Sequence, residues 1–282
     1  MSGLRLGQVD YINYLPVYYA LEEGLVPLEA KLHKGLPTQL NKLFLSGKLE
    51  ITPISTIEYA RNADFCYILP DLSISADGRA ASVLLFSKMP VTELDGKEIY
   101  LTKSAATSVT LLKVLFEHYY HMEVRYKTTT PDFDAMMSKA DGALLIGDQA
   151  MIAHQRVKDE GLPYQVTDLG AAWKHFTGEK LVCAVWVVRK AYAQSYPEKV
   201  NAIVRAFSES KKVGLENINA IITGVHKKSG LPLPVIEDYF EIIRHEFDES
   251  YQKALLTFYD YAYKSGLIDE RVKLHVWGEG NG

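Results

Sequence analysis

The sequence predicts an α/β protein of two lobes, the second inserted into the first, and three observations carry that prediction. A chain of 282 residues is long for one hydrophobic core, and folds of this size usually split in two. Through the first two thirds, short apolar runs alternate with helix-period segments, the pattern of βαβ units and of mostly parallel sheets flanked by helices. Two strand-like apolar runs, Ser82 to Ser87 and Val182 to Val188, enclose a block with a βα pattern of its own, so the chain leaves one lobe, builds another and returns. The expected boundaries are 1–87 with 189–282 for the first lobe and 88–188 for the inserted one.

Leu4 to Val9 alternates as a strand does and runs into Asp10-Tyr11-Ile12-Asn13-Tyr14-Leu15-Pro16, after which Pro16 to Glu23 reads as a helix closed by Gly24. Tyr11 and Asn13 thus sit in a loop at the carboxyl end of a strand, where open α/β sheets bind ligands. Lys31 to His33 is a second strand, Gly35-Leu36-Pro37 a turn, and Thr38 to Ser46 a helix capped by Gly47. Leu49 to Ile54 is a third strand, and Ser55 with Glu58 has the spacing of a capping box that opens the next helix. In the inserted block, strands at Glu98–Leu101, Glu123–Lys127 and Ala143–Ile146 alternate with helices at Ser108–Tyr120, Asp132–Lys139 and Asp148–Glu160. After Lys190 the chain reads as helix, with starts at Pro197 and Pro234, stops at Gly214, Gly230 and Gly266, and an apolar face at Ile236, Phe240 and Ile243. An inserted lobe reached by two strand crossovers is the topology of two-lobed solute-binding proteins, which close on a ligand by hinge motion.

The balance of 31 Lys and Arg against 35 Asp and Glu, spread along the chain, lacks the basic block of a nucleic-acid binder. No run approaches the ~18 apolar residues of a membrane span, and no basic segment leads into an apolar stretch of signal length, so a cytoplasmic protein without membrane partners is expected. Cys66 and Cys183 each lie in an apolar strand-like segment and read as buried thiols. His118 and His121 have a spacing that suits zinc, but no third ligand stands in a readable relation to them, and no metal is expected.

Three segments carry polar groups suited to a ligand. Thr102 to Val109 is a hydroxyl-rich loop opening a helix, where N–H groups, hydroxyls and the helix dipole favour an anion; the plainer alternative makes Ser104 or Thr107 an N-cap. Leu144-Leu145-Ile146-Gly147-Asp148 ends a buried strand in a glycine that lets a ligand approach the backbone and in a carboxylate that is either an N-cap or a hydrogen-bond acceptor for a ligand hydroxyl. Asp168-Leu169-Gly170-Ala171-Ala172-Trp173 and the strand carrying Trp186 offer flat apolar walls or simply core.

Taken together, Val9-Asp10-Tyr11-Ile12-Asn13-Tyr14-Leu15-Pro16, Gly35-Leu36-Pro37, Ile54 to Asn62, Ser82 to Ser87, Thr107 to Leu112, Ile146-Gly147-Asp148 and Asp168-Leu169-Gly170 resemble the chorismate dehydratase family of the futalosine route to menaquinone, in the expected order across residues 9–188. One departure is Glu179-Lys180, where the family usually shows Leu-Pro. The resemblance implies a type 2 periplasmic-binding-protein-like fold with the active site in the interlobe cleft. It also implies elimination of water from chorismate to give 3-[(1-carboxyvinyl)oxy]benzoate, with chorismate the small-molecule partner and no cofactor. Because the product is aromatic, the protein has mainly to hold a dianion in an elimination-ready pose and exclude water.

On that basis Ser104, Thr107, Ser108 and their helix N-terminus are expected to bind one carboxylate from the inserted lobe. Ser55 and Ser82 are expected to touch the substrate from the first lobe, with Tyr11 and Gly147 beside it. Asn13 orients the leaving hydroxyl or the enolpyruvyl group, and Asp148 bonds a hydroxyl or acts as general acid. No histidine or lysine falls in a base position within these motifs, which leaves the substrate's own enolpyruvyl carboxylate as a candidate base. Two rivals are weighed. A 1,4-dihydroxy-6-naphthoate synthase of the same pathway would be expected to present a catalytic histidine; a non-catalytic solute-binding protein would need export.

Overall fold

A computed structural model describes residues 4–103 and 105–279. Its strands, in chain order, are β1 (Leu4–Val9), β2 (Ala30–Gly35), β3 (Ile51–Ser55), β4 (Cys66–Ala76), β5 (Val83–Ser87) and β6 (Glu98–Thr102). They continue with β7 (Arg125–Thr129), β8 (Gly142–Ile146), β9 (Gln165–Asp168), β10 (Leu181–Arg189) and β11 (Ile243–Arg244). The helices are α1 (Leu15–Glu22), α2 (Pro37–Leu45), α3 (Thr56–Arg61), α4 (Ala106–His118), α5 (Phe133–Lys139) and α6 (Gly147–Asp159). After these come α7 (Leu169–Thr177), α8 (Lys190–Ser195), α9 (Pro197–Glu216), α10 (Ile218–Ser229), α11 (Leu233–Ile242) and α12 (Glu249–Lys264). Prolines stand in the first turn of α1, α2, α9 and α11, where their missing N–H costs nothing.

The chain forms two units, one of residues through Ser75, Val182–Leu256 and from Val272 on, the other of Ala76–Leu181 and Thr257–Arg271. In the first unit a six-stranded sheet runs β11-β4-β10-β3-β1-β2. β1 is parallel to β2 and β3, and β10 is antiparallel to β3. The carboxyl ends of β1 and β3 therefore share an edge with the amino end of β10. Trp186, Tyr18 and Phe207 fill the core beside it; the indole N–H donates to the Tyr18 hydroxyl at 2.9 Å, which donates to the Gly7 carbonyl at 2.7 Å. A side chain of this kind contributes about 1.5–3 kcal/mol when fully buried, and both polar tips are satisfied.

In the second unit a five-stranded sheet runs β7-β6-β8-β5-β9. β6 is parallel to β7 and β8, whereas β5 is antiparallel to β8 and β9. Both sheets are therefore mixed, where alternation alone suggested mostly parallel pairing. Leu84, Phe86, Tyr100, Met136, Met137 and Leu145 form its core, with Phe133 packed against them.

Three expectations are corrected by these contacts. Ser82 and β5 lie in the second unit, because Val83–Ser87 hydrogen-bonds in full register with β8; a boundary at residue 87 places them in the wrong sheet. The helical tail does not stay with the first unit: Phe258 and Tyr261 lie edge-on to Trp173 at 5.9 and 5.7 Å, and Ser265 bonds His118 at 2.9 Å, so 257–271 counts with the second. Gly214 does not stop a helix but lies inside α9, where a Cβ would stand 1.9 Å from the Pro16 carbonyl oxygen. Its lack of a side chain lets α9 approach α1, an approach completed by the Ser210 hydroxyl donating to the Val17 carbonyl at 2.7 Å.

Candidate functional site

At the edge of the first sheet, β1 ends at Val9 and a single 3-10 turn, Ile12–Tyr14, leads into α1. Asn13 sits on that turn, 7% exposed, and its Oδ1 is buried with no hydrogen-bond partner. Tyr11 precedes the turn with an extended backbone. Ser55 ends β3 at the same edge and occupies the N-cap position of α3, yet its side chain caps nothing, and its Oγ is buried without a partner. The capping box expected from Ser55 and Glu58 is thus absent; Glu58 pairs instead with Arg61. Thr56 beside it donates to the Val182 carbonyl at 2.9 Å, tying this edge to the start of β10. Burial, with Cys183 and neighbouring tyrosines adding to it, holds the Tyr14 phenol protonated well beyond its ordinary range.

A buried polar atom left unpaired costs about 1–3 kcal/mol, so native folds rarely keep one without a use. Two at one strand edge, one acceptor on Asn13 and one hydroxyl on Ser55, are hydrogen-bonding capacity that a ligand would satisfy.

The edge of the second sheet is built differently. Ser82, 5% exposed, precedes β5, and its carbonyl accepts the Gly147 N–H at 2.8 Å. Gly147 has φ 60°, a left-handed conformation suited to glycine, which turns the chain from β8 into α6 and places Asp148 in the first turn. Asp148 is not the N-cap, a position that Ile146 holds. Thr107 and Ser108, 3% and 6% exposed, lie in the first turn of α4. The N-cap there is Ala105, with no side-chain cap, so Thr107 does not serve as one. Ser104 lies outside the described residues. Ser82, Thr107 and Asp148 each have a partner within the protein.

The Asp168-Leu169-Gly170 motif proves to be scaffolding. Asp168 caps α7 by accepting the Ala171 N–H at 3.0 Å, and the same carboxylate accepts the Ala80 N–H at 3.0 Å and the Ala81 N–H at 2.7 Å. Ala81 has φ 55°, a conformation costing an alanine roughly 1–2 kcal/mol, and the carboxylate holds it there, one residue before Ser82. A Cβ at Gly170 would stand 2.6 Å from the Gly78 carbonyl, so glycine is what lets the two segments lie together.

Trp173 and Trp186 are fully buried and wall no open surface. Around Glu179-Lys180 the backbone does the packing: the Glu179 N–H donates to the Thr177 hydroxyl at 3.1 Å and the Lys180 carbonyl accepts the Trp173 indole N–H at 3.1 Å, so the charged side chains replace Leu-Pro without opening the loop. Among the described residues no cluster of three His, Cys, Asp or Glu has metal-binding geometry. Among them, too, no helix is long and apolar enough to cross a membrane.

One residue escaped the sequence reading. His245, 2% exposed, donates from Nε2 to the Asn13 carbonyl at 2.8 Å across 232 positions of sequence. It lies in the tail, which reads as helix throughout, and no local motif marks it.

Two mixed sheets, each with hydroxyls, amides or a helix N-terminus gathered along one edge, define a protein of the periplasmic-binding-protein-like class. The periplasmic aliphatic sulphonate binding protein of Escherichia coli has the same fold, at a TM-score of 0.69 and 15% identity over 99% of this chain and 94% of that one. Within that class the chain belongs to the menaquinone biosynthesis family, whose pattern matches residues 4–264. It is 31% identical over 270 residues to the chorismate dehydratase of Thermus thermophilus, covering 92% of this chain and 94% of the relative. It is 29% identical to the 1,4-dihydroxy-6-naphthoate synthase of the same organism, over 74% of this chain and 81% of that one.

Proposed function

We propose that the protein is a chorismate dehydratase, a hydro-lyase of menaquinone biosynthesis acting in the cytoplasm without metal or cofactor. The observation that carries this reading is the 31% identity to a chorismate dehydratase along 92% of the chain, against 74% for the naphthoate synthase. In the reaction, the C–H bond at the ring carbon bearing the enolpyruvyl ether breaks, its electrons form the last ring double bond, and the neighbouring C–O bond breaks to release water. Aromaticity supplies the driving force, so the protein's task is orientation and exclusion of solvent.

In this reading Asn13 orients the leaving hydroxyl or the enolpyruvyl group, its unpartnered Oδ1 being free to accept from a substrate hydroxyl, and Ser55 donates to the substrate. Thr107, Ser108 and the first turn of α4 bind a carboxylate, assisted by the helix dipole. Tyr11, Ser82 and Gly147 line the substrate, and Asp148 bonds a hydroxyl or protonates the leaving group. The base is the substrate's own enolpyruvyl carboxylate. Incubating the purified protein with chorismate and following the ultraviolet spectrum tests the reading: an aromatic product should accumulate. Binding of chorismate by calorimetry with an unchanged spectrum would instead support a solute-binding protein.

A further inference from the structure

We propose that His245 is a positioning residue for Asn13, holding the main-chain carbonyl of the turn that carries it and so setting where the Asn13 amide stands during turnover. The inference rests on the reading of Asn13 given above and adds to it a residue from the far end of the chain.

The contact has one chemical solution. A carbonyl oxygen only accepts, so the 2.8 Å contact requires the hydrogen on Nε2, which selects one tautomer of a neutral ring. Burial pushes the His245 pKa down and keeps the ring neutral. The histidine is itself fixed: its N–H donates to Glu246 Oε2 at 3.1 Å, and its carbonyl accepts the Ser73 N–H from β4 at 3.0 Å.

The turn needs such a hold. Within it the Tyr14 N–H reaches the Tyr11 carbonyl at 3.1 Å, but no side chain caps it, and Asn13 Oδ1 makes no bond that would fix the amide from its outer end. With Oδ1 unbonded, the position of the Asn13 amide follows from the packing around it and from the backbone that carries it, and His245 grips that backbone at Asn13 itself. A displacement near 1 Å at a reacting group costs up to ~10²-fold in rate.

The test uses two substitutions of similar size. In His245→Gln the amide nitrogen reaches the place of Nε2 and can donate; in His245→Asn it reaches only the place of Nδ1. With chorismate as substrate, His245→Gln should keep kcat within about threefold of wild type, while His245→Asn loses ~10–10²-fold in kcat with KM little changed. Added to Asn13→Ala, which leaves the carbonyl in place, His245→Asn should cost nothing further, because there is no amide left to aim. Wild-type kcat in His245→Asn overturns the inference, as does a His245→Gln variant impaired equally, which would indicate packing alone. Should His245→Asn fail to fold, nitrogen NMR of the wild-type ring decides: the Nε2–H tautomer supports the contact and the Nδ1–H tautomer overturns it. If wild type itself leaves chorismate unchanged, the functional reading falls and the inference falls with it, whereas an active wild type beside a fully active His245→Asn sinks the inference alone.

Discussion

The two sheet edges that gather polar residues differ in what they leave unmet. On the first, Asn13 Oδ1 and Ser55 Oγ are buried without partners. On the second, Ser82, Thr107 and Asp148 already have partners, and Asp168 braces the approach to Ser82 through three backbone N–H groups. Unmet capacity lowers stability until a ligand fills it, and a satisfied edge holds its shape with or without one. Under the proposed function, that difference gives the first edge the chemistry and the second the anchoring.

The sharpest way to break that division is Asn13→Ala. If the first edge orients the leaving group, the variant folds but loses ~10²–10³-fold in kcat, the usual cost of removing one preorganised polar contact to a reacting group. Near-normal turnover would move the chemistry elsewhere. Next in size is Asp168→Ala on the second edge. It removes a helix cap and leaves N–H groups of Ala80 and Ala81 without their acceptor, so a denaturant midpoint should report a loss of about 2 kcal/mol. An unchanged midpoint would show that the brace carries no strain.

A paired comparison then tests the contrast itself. Ser55→Ala deletes a hydroxyl that bonds nothing in the protein, so stability should hold or rise by up to about 1 kcal/mol while KM for chorismate rises. Ser82→Ala deletes a hydroxyl that donates to the Ala80 carbonyl at 3.4 Å, and stability should fall by about 1 kcal/mol. Opposite signs support the division, and equal losses would erase it.

What the sequence disclosed follows from the range of the physics. The strand of Leu4–Val9 and the helix start at Pro197 are set by neighbours a few residues away and are found where periodicity and punctuation place them, and the helix read from Thr38 begins one residue earlier, at Pro37. Of the residues singled out for the site, Asn13 and Ser55 follow or end β1 and β3, Ser82 precedes β5, and Gly147 and Asp148 follow β8, while Ser104 is outside the described residues. Illegible were features decided across long separations. Gly214 looks like a stop until Pro16 is seen against it, and Ser55 looks like a cap although its hydroxyl bonds nothing. His245 and Asn13 are joined only by the fold.

The smallest effect concerns pH and separates the two units once more. Burial depresses the pKa of His245, with Lys211 and Arg244 adding to the shift and the Asn13 carbonyl and Glu246 opposing it. Burial likewise lowers His275 in the first unit and His154 in the second. A histidine whose folded pKa lies below its unfolded value of about 6.5 binds more protons when unfolded, so stability is complete above that pH and falls as acid is added through it. Asp260 is held low chiefly by Lys264 and Glu50 by Arg5 despite burial, so both act only in more acidic solution, below about pH 5, and do not confuse the window. Denaturant midpoints at pH 7.5 and 5.5 should therefore show wild type losing stability on acidification. His245→Gln should remove more of that loss than His154→Gln, because His245 is the more deeply enclosed of the two. An acid-induced loss that is the same in His245→Gln as in wild type would mean that the ring is already charged or solvated, and that the bond to Asn13 is not the fixed contact on which the first edge depends.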